Sequence, residues 1–295
     1  MHGRLSRRAL LVGVGGSLTA AGGGIALVET GVLPGRLALQ RALGACDVGG
    51  PLPAVSPGPI TYGSFSSSAR GRTVGFAVVY PAGARAKARL PVCLYLHGRG
   101  GDHRDVSGHR IGLPWIRAAR VRAGAPPMAL VGVDGGTGYW HRRANGDDAG
   151  RMLFHELLPL LHARGLRTDR IGLLGASMGG YGALLWGERR GPDRIAAVGA
   201  MSPALWRRFA DSAPGAFDSP ADFASYDVFA GAKRLSGMPV RIDCGRDDSF
   251  AGAARAFLAV APASTSGAIE DGCHDAAFWR SAAYAQITAI ARQLG

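Results

Sequence analysis

One hexapeptide restricts the architecture of this chain more than any other stretch. Gly175-Ala176-Ser177-Met178-Gly179-Gly180 follows the apolar run Ile171-Gly172-Leu173-Leu174 and precedes a helical pattern that begins at Tyr181. A strand that turns at once into a helix forces the residue at the turn into a strained backbone conformation and lifts its side chain above the sheet edge. Glycines on both sides are needed because any side chain there would strike the adjoining strand or helix. The GxSxG string alone is weak evidence, so the reading rests on what surrounds it.

A serine hydroxyl becomes a useful nucleophile only when a histidine takes its proton and a carboxylate orients that histidine. Both partners lie downstream. Val240-Arg241-Ile242-Asp243-Cys244-Gly245-Arg246-Asp247-Asp248-Ser249-Phe250 reads as a strand running into a carboxylate-rich turn, and Gly272-Cys273-His274-Asp275 follows the short run Ser266 to Glu270. Asp248, Asp247, Asp243 and Asp275 are all candidate acids on spacing alone. Upstream, Leu90 to Leu96 is a buried-strand pattern that enters His97-Gly98-Arg99-Gly100-Gly101, a turn suited to presenting a backbone amide to an oxyanion.

The remaining pattern alternates strands and helices. Strand runs are expected at Ile60 to Ser64, Arg72 to Pro81, Val92 to Leu96, Met128 to Val133, Ile171 to Leu174 and Ile195 to Met201. Helices are expected at Leu113 to Arg122, Met152 to Leu161 despite Pro159, and Tyr181 to Arg189. Such alternation implies a mainly parallel sheet covered on both faces, an α/β domain. Ala204 to Gly237 breaks the rhythm and is expected as an insertion at the catalytic edge. Its Trp206, with Tyr139 and Trp140 from the loop after Asp134, is a candidate substrate contact.

The 295 residues, 47% of them apolar, suffice for one such domain, placed at 60–295 behind a leader at 1–32 and a Pro/Gly-rich tether at 33–59. Formal charge is +13, nearly all from arginine, since Lys87 and Lys233 are the only lysines. The arginines are scattered and no zinc-finger, RNP or phosphate-loop motif accompanies them. Nucleic-acid binding is therefore not expected, whereas association with a membrane or an anionic cell envelope is compatible with the charge. Ser6-Arg7-Arg8-Ala9-Leu10-Leu11, ahead of the glycine-interrupted apolar stretch Ala9 to Val28, looks like a twin-arginine export signal. It predicts a secreted or membrane-anchored protein whose leader engages the twin-arginine export machinery. Cys244 and Cys273 flank the acid and histidine turns and are expected to form a disulfide, while Cys93 lies inside a strand. His97, His103 and His109 recur every six residues, a spacing of no recognised metal motif, so no metal or other cofactor is expected. His97 is read as a structural group that orients its loop.

Taken together, Leu96-His97-Gly98-Arg99-Gly100-Gly101, the GxSxGG turn, Gly245-x-x-Asp248-x-Phe250 and Gly272-x-His274 with Phe278-Trp279 resemble the α/β-hydrolase family that includes esterase D, feruloyl esterases and mycolyltransferases. The likeness spans about residues 60 to 293. The resemblance implies an α/β-hydrolase fold, a triad of Ser177, Asp248 and His274, and an oxyanion hole made by the backbone N–H groups of Arg99 and Met178. It implies a small-molecule or envelope-derived ester as substrate. Acyl transfer to an envelope sugar or lipid, and a non-catalytic envelope-binding protein of the same fold, are the alternatives to hydrolysis.

Overall fold

The computed structural model describes residues 49–84 and 89–295, with positions 39, 40, 42 and 46 ahead of them. The leader expected at 1–32 lies outside the described residues. Asp47–Gly295 forms one compact unit. Residues 49–59, read from sequence as the end of a tether, belong to this unit, where the Pro57 carbonyl accepts a hydrogen bond from the buried Arg117 guanidinium.

Eight strands form one sheet: β1 Ile60–Ser67, β2 Arg72–Val79, β3 Pro91–Leu96, β4 Ala129–Val133, β5 Arg167–Ala176, β6 Ile195–Met201, β7 Val240–Gly245 and β8 Thr265–Glu270. Their spatial order is β1-β2-β4-β3-β5-β6-β7-β8. Only the β1/β2 and β2/β4 pairs are antiparallel. From β4 to β8 every pairing is parallel, so the carboxyl ends of six strands share one edge. The chain builds outward in one direction from β3 to β4 and in the other from β5 onward. The crevice between β3 and β5 is thus a topological switch point, the place where loops on an open α/β sheet diverge and leave room for a ligand.

Alternate residues of the central strands feed two cores. Val92, Leu94 and Leu96 of β3 join the cluster on one face, and Cys93 and Tyr95 join that on the other. Helix α1, Leu113–Arg122, packs on the second face. A helical segment begins as Ala149–Met152, widens to a π-turn over Leu153–Leu157 and resumes as Leu158–Ala163, covering the first face. The π-turn precedes Pro159, which lacks the N–H that a continuous α-helix would need. Also on the first face are α2, Met178–Arg190, and α3, Ala251–Val260. The long α4, Ala276–Leu294, closes the second. This is the α/β-hydrolase fold. Among the described residues, no helix is long and apolar enough to cross a membrane.

Candidate active site

Ser177 ends β5 and caps α2 with φ 55° and ψ −118°. The turn leaves no room beside it. A Cβ on Gly175 would lie 2.1 Å from the Gly179 carbonyl oxygen, and one on Gly179 would lie 1.8 Å from that of Leu96. The helix accordingly starts at Met178, three residues before the expected Tyr181, because the glycines let α2 press directly on β3 and β5. Main-chain bonds hold the serine from both sides, its N–H to Met201 O at 2.9 Å and its carbonyl to the N–H groups of Tyr181 and Ala204, each at 3.0 Å.

The histidine and one carboxylate converge on this hydroxyl. His274 Nε2 lies 2.9 Å from Ser177 Oγ, and His274 Nδ1 lies 2.8 Å from Asp248 Oδ2. The partners fix the tautomer: Nδ1 carries the proton toward the carboxylate, and Nε2 is left to accept from the serine. The Asp248 side chain is fully buried, and its other oxygen accepts the Phe250 N–H at 2.8 Å. Two of the rival acids are engaged elsewhere. Asp275 caps α4 by accepting from the N–H groups of Ala277 and Phe278, and Asp243 binds Arg241 and Gln286. The acid and histidine loops are laced together by Arg246 N–H to Glu270 O at 2.6 Å and Asp247 N–H to Gly272 O at 3.0 Å.

The turn after β3 meets the serine from the other side of the switch point. A Cβ on Gly98 would lie 3.6 Å from Ser177 Cβ, so the backbone at 98–99 passes close to the nucleophile. His97 is buried and braces this turn. Its Nε2 accepts the Gly135 N–H at 2.9 Å, its Nδ1 donates to Gly98 O at 2.8 Å, and burial holds its pKa below the ordinary value. A neutral ring satisfies one acceptor and one donor role at once, as this arrangement requires. Met178 N–H stands at the first position of α2, where an amide has no partner within the helix. Ser177 and His274 open on a cavity of about 380 Å³ whose walls include Tyr95, Arg99, Asp105, Arg110 and Trp279.

The sequence matches the model of one family over residues 67–279, described as Putative esterase. The chain belongs to that family. It is a serine carboxylic ester hydrolase. A ferulic acid esterase superposes on this esterase with a TM-score of 0.69 at 22% identity, covering 80% of this chain and 98% of its own. Fluorophosphonate-binding serine hydrolase F of Staphylococcus aureus gives 0.64 at 19% identity, with coverage of 80% and 99%. An S-formylglutathione hydrolase from Agrobacterium tumefaciens gives 0.64 at 18% identity, with 82% and 98%. At such identities the likeness shows a shared fold. No functionally curated protein matches the chain.

Two sequence expectations need correction in this esterase, the aromatic contacts and the disulfide. Tyr139, Trp140 and Trp206 do not line the cavity at Ser177. Tyr139 and Trp140 take positive φ values that turn them inward. Trp140, fully buried, donates to His97 O and accepts from Trp186 Nε1. Tyr139 and Trp206 pack on each other and on Phe217 of the insertion. The aromatics that do reach the cavity are Tyr95, hidden in the buried strand run, and Trp279, which stands perpendicular to the His274 ring at 5.3 Å and was visible in the family motif.

The expected Cys244 to Cys273 disulfide is not formed. Cys244 is a free buried thiol, as is Cys93, whereas Cys273 and Cys46 are disulfide-bonded. The Cys273 sulfur is already committed to a disulfide that does not include Cys244, so the thiol beside the acid turn stays reduced. The evenly spaced histidines do not converge either. His97 braces the turn after β3, and His109 packs on Trp115. His103 pairs with Asp134 at 2.7 Å, and both Asp134 oxygens accept backbone N–H groups, from His103 and Gly75. With Asp102 these two groups lie within 4.8 Å of one another.

Proposed function

We propose that this esterase is an exported enzyme that hydrolyses a small-molecule or envelope-derived ester through a Ser177–His274–Asp248 triad and an acyl-enzyme. The observation that carries the reading is the unbroken line of short contacts from buried Asp248 through His274 to Ser177 Oγ, ending in a cavity. Ser177 Oγ attacks the ester carbonyl carbon while its proton passes to His274 Nε2. The Asp248 carboxylate stabilises the imidazolium, and the N–H groups of Arg99 and Met178 donate to the oxyanion. Collapse expels the alcohol, which takes the proton from His274. Water, deprotonated by the same nitrogen, then attacks the acyl carbon, releasing the acid and restoring the serine. No cofactor enters these steps.

Export is supported by the Ser6-Arg7-Arg8 motif and by disulfide-bonded Cys273, a bond at home in oxidising compartments. Covalent labelling of the purified protein by a fluorophosphonate tests the catalytic reading. The expected result is one label per chain, on Ser177, absent from Ser177→Ala. A protein that hydrolyses esters equally well after that substitution has another mechanism.

A further inference from the structure

The cavity at Ser177 contains a carboxylate for which the hydrolytic steps above have no use. Asp105 lies in a 3-10 turn, His103–Ser107, whose start is capped by the Asp102 side chain. Its backbone is pinned on both sides, N–H to Asp102 O at 3.2 Å and carbonyl to Gly108 N–H at 3.3 Å. The side chain rests against the α-carbon of Gly101, where an added Cβ would come within 2.1 Å of Asp105 Oδ2. Space for the carboxylate inside the oxyanion turn thus exists only because residue 101 has no side chain.

Half-buried on the cavity wall, this carboxylate makes no ion pair and no hydrogen bond to another side chain among the described residues; the donor that acts on it is the Asp102 backbone N–H. Burial pushes its pKa up, partly offset by the Arg110 charge and the Asp102 backbone N–H. Tyr95, whose hydroxyl feels both Asp105 and Arg110, lines the same cavity. A partly desolvated carboxylate left with unused acceptor capacity costs about 1–3 kcal/mol. Beside a site that must stabilise a developing oxyanion it also opposes the reaction by charge. Neither cost has a return unless something that enters the cavity satisfies the group.

We propose that Asp105, with Arg110 and Tyr95, recognises a hydroxyl-bearing substituent on the ester, and that Asp105 determines specificity for it. The assignment rests on the esterase reading above. Polarity selects the ligand. A cationic substituent would meet Arg110, an anionic one would meet Asp105, and a plain alkyl group would leave the carboxylate's remaining lone pairs unused. A neutral hydroxyl both donates and accepts, so it gives its proton to Asp105 and its lone pairs to the guanidinium or the phenol.

Two matched substrate pairs test this and separate the acyl side from the alcohol side: p-nitrophenyl ω-hydroxyhexanoate against the hexanoate, and glycerol monobutyrate against propyl butyrate. The native enzyme is expected to favour the hydroxylated member of one pair by roughly tenfold or more in kcat/KM. Asp105→Leu should bring that ratio to within about threefold of unity, and Asp105→Asn should lower it. Fluorophosphonate labelling of Ser177 in each variant shows that the site is assembled, and the Asn variant decides the matter if the Leu variant does not fold. Equal rates within both pairs for the native enzyme, or a preference that survives Asp105→Leu, would overturn the assignment. A native protein that neither takes the label nor hydrolyses any of the four esters would instead overturn the esterase reading beneath it.

Discussion

The positive φ of Ser177 costs about 1–3 kcal/mol, and the bonds from its backbone to Met201, Tyr181 and Ala204 hold it there. What the strain supports is chemistry, so Ser177→Ala and His274→Ala should each lower ester turnover by roughly 10⁴ to 10⁶ while leaving the fold intact. Steady-state kinetics beside circular dichroism checks both halves of that expectation. Because Asp248 bonds His274 Nδ1 at 2.8 Å, Asp248→Asn should cost far more activity than Asp247→Asn; the reverse ranking would move the acid by one residue. Glu188 carries a different consequence. Its side chain is 1% exposed, Arg234 approaches only to 3.5 Å, Oε2 has no partner, and burial pushes the pKa from 4.5 to about 7. The folded state therefore holds this proton after the unfolded chain has lost it. The group's contribution to stability is whole below about pH 4.5 and falls as pH rises to about 7, by on the order of 3 kcal/mol. Relative to the native protein, Glu188→Gln should gain that much in denaturant-measured stability between pH 4.5 and 8. A pH-independent difference would show that the carboxyl does not titrate in this window.

At the scale of elements, the contact between α2 and β3 decides whether the serine turn can form. The Leu96 carbonyl that a Cβ at residue 179 would strike is backbone in the middle of the sheet and cannot swing aside. Gly179→Ala should force α2 off the sheet and destabilise by about 3 kcal/mol or more, seen as loss of soluble protein or of the cooperative transition. Gly252 offers the contrast. It lies exposed in α3 with open space around its α-carbon, so Gly252→Ala should stabilise by about 0.5–1 kcal/mol. Equal effects at the two positions would contradict the packing described. The central strands were readable because most are local runs of apolar, often β-branched residues. The start of α2 was not, because it depends on how closely two glycines let a helix approach a distant strand.

For the whole molecule, compartment and covalent state are linked. If Arg7-Arg8 is a twin-arginine signal, changing both to lysine keeps the charge but removes the paired guanidinium groups, and the enzyme should stay in the cytoplasm with its intrinsic activity unchanged. Continued export of that variant would refute the routing. Alkylation of the denatured, non-reduced protein should modify Cys93 and Cys244 and spare Cys46 and Cys273, with peptide mass spectrometry as the readout. Sequence by itself determined the α/β alternation, the serine turn and the two loops bearing Asp248 and His274, since each is a short motif whose chemistry is local. The family motif pointed to Asp248 among four carboxylates and the tertiary structure brings that one to the imidazole; tertiary structure alone decided that Trp140 is core rather than cavity wall, that Cys244 is free, and that Asp105 shares a cavity with Ser177. Those outcomes depend on strand register and on the crossing of the chain at the β3/β5 switch point. These bring together residues as far apart as 105, 177 and 274, a distance over which no local pattern carries information.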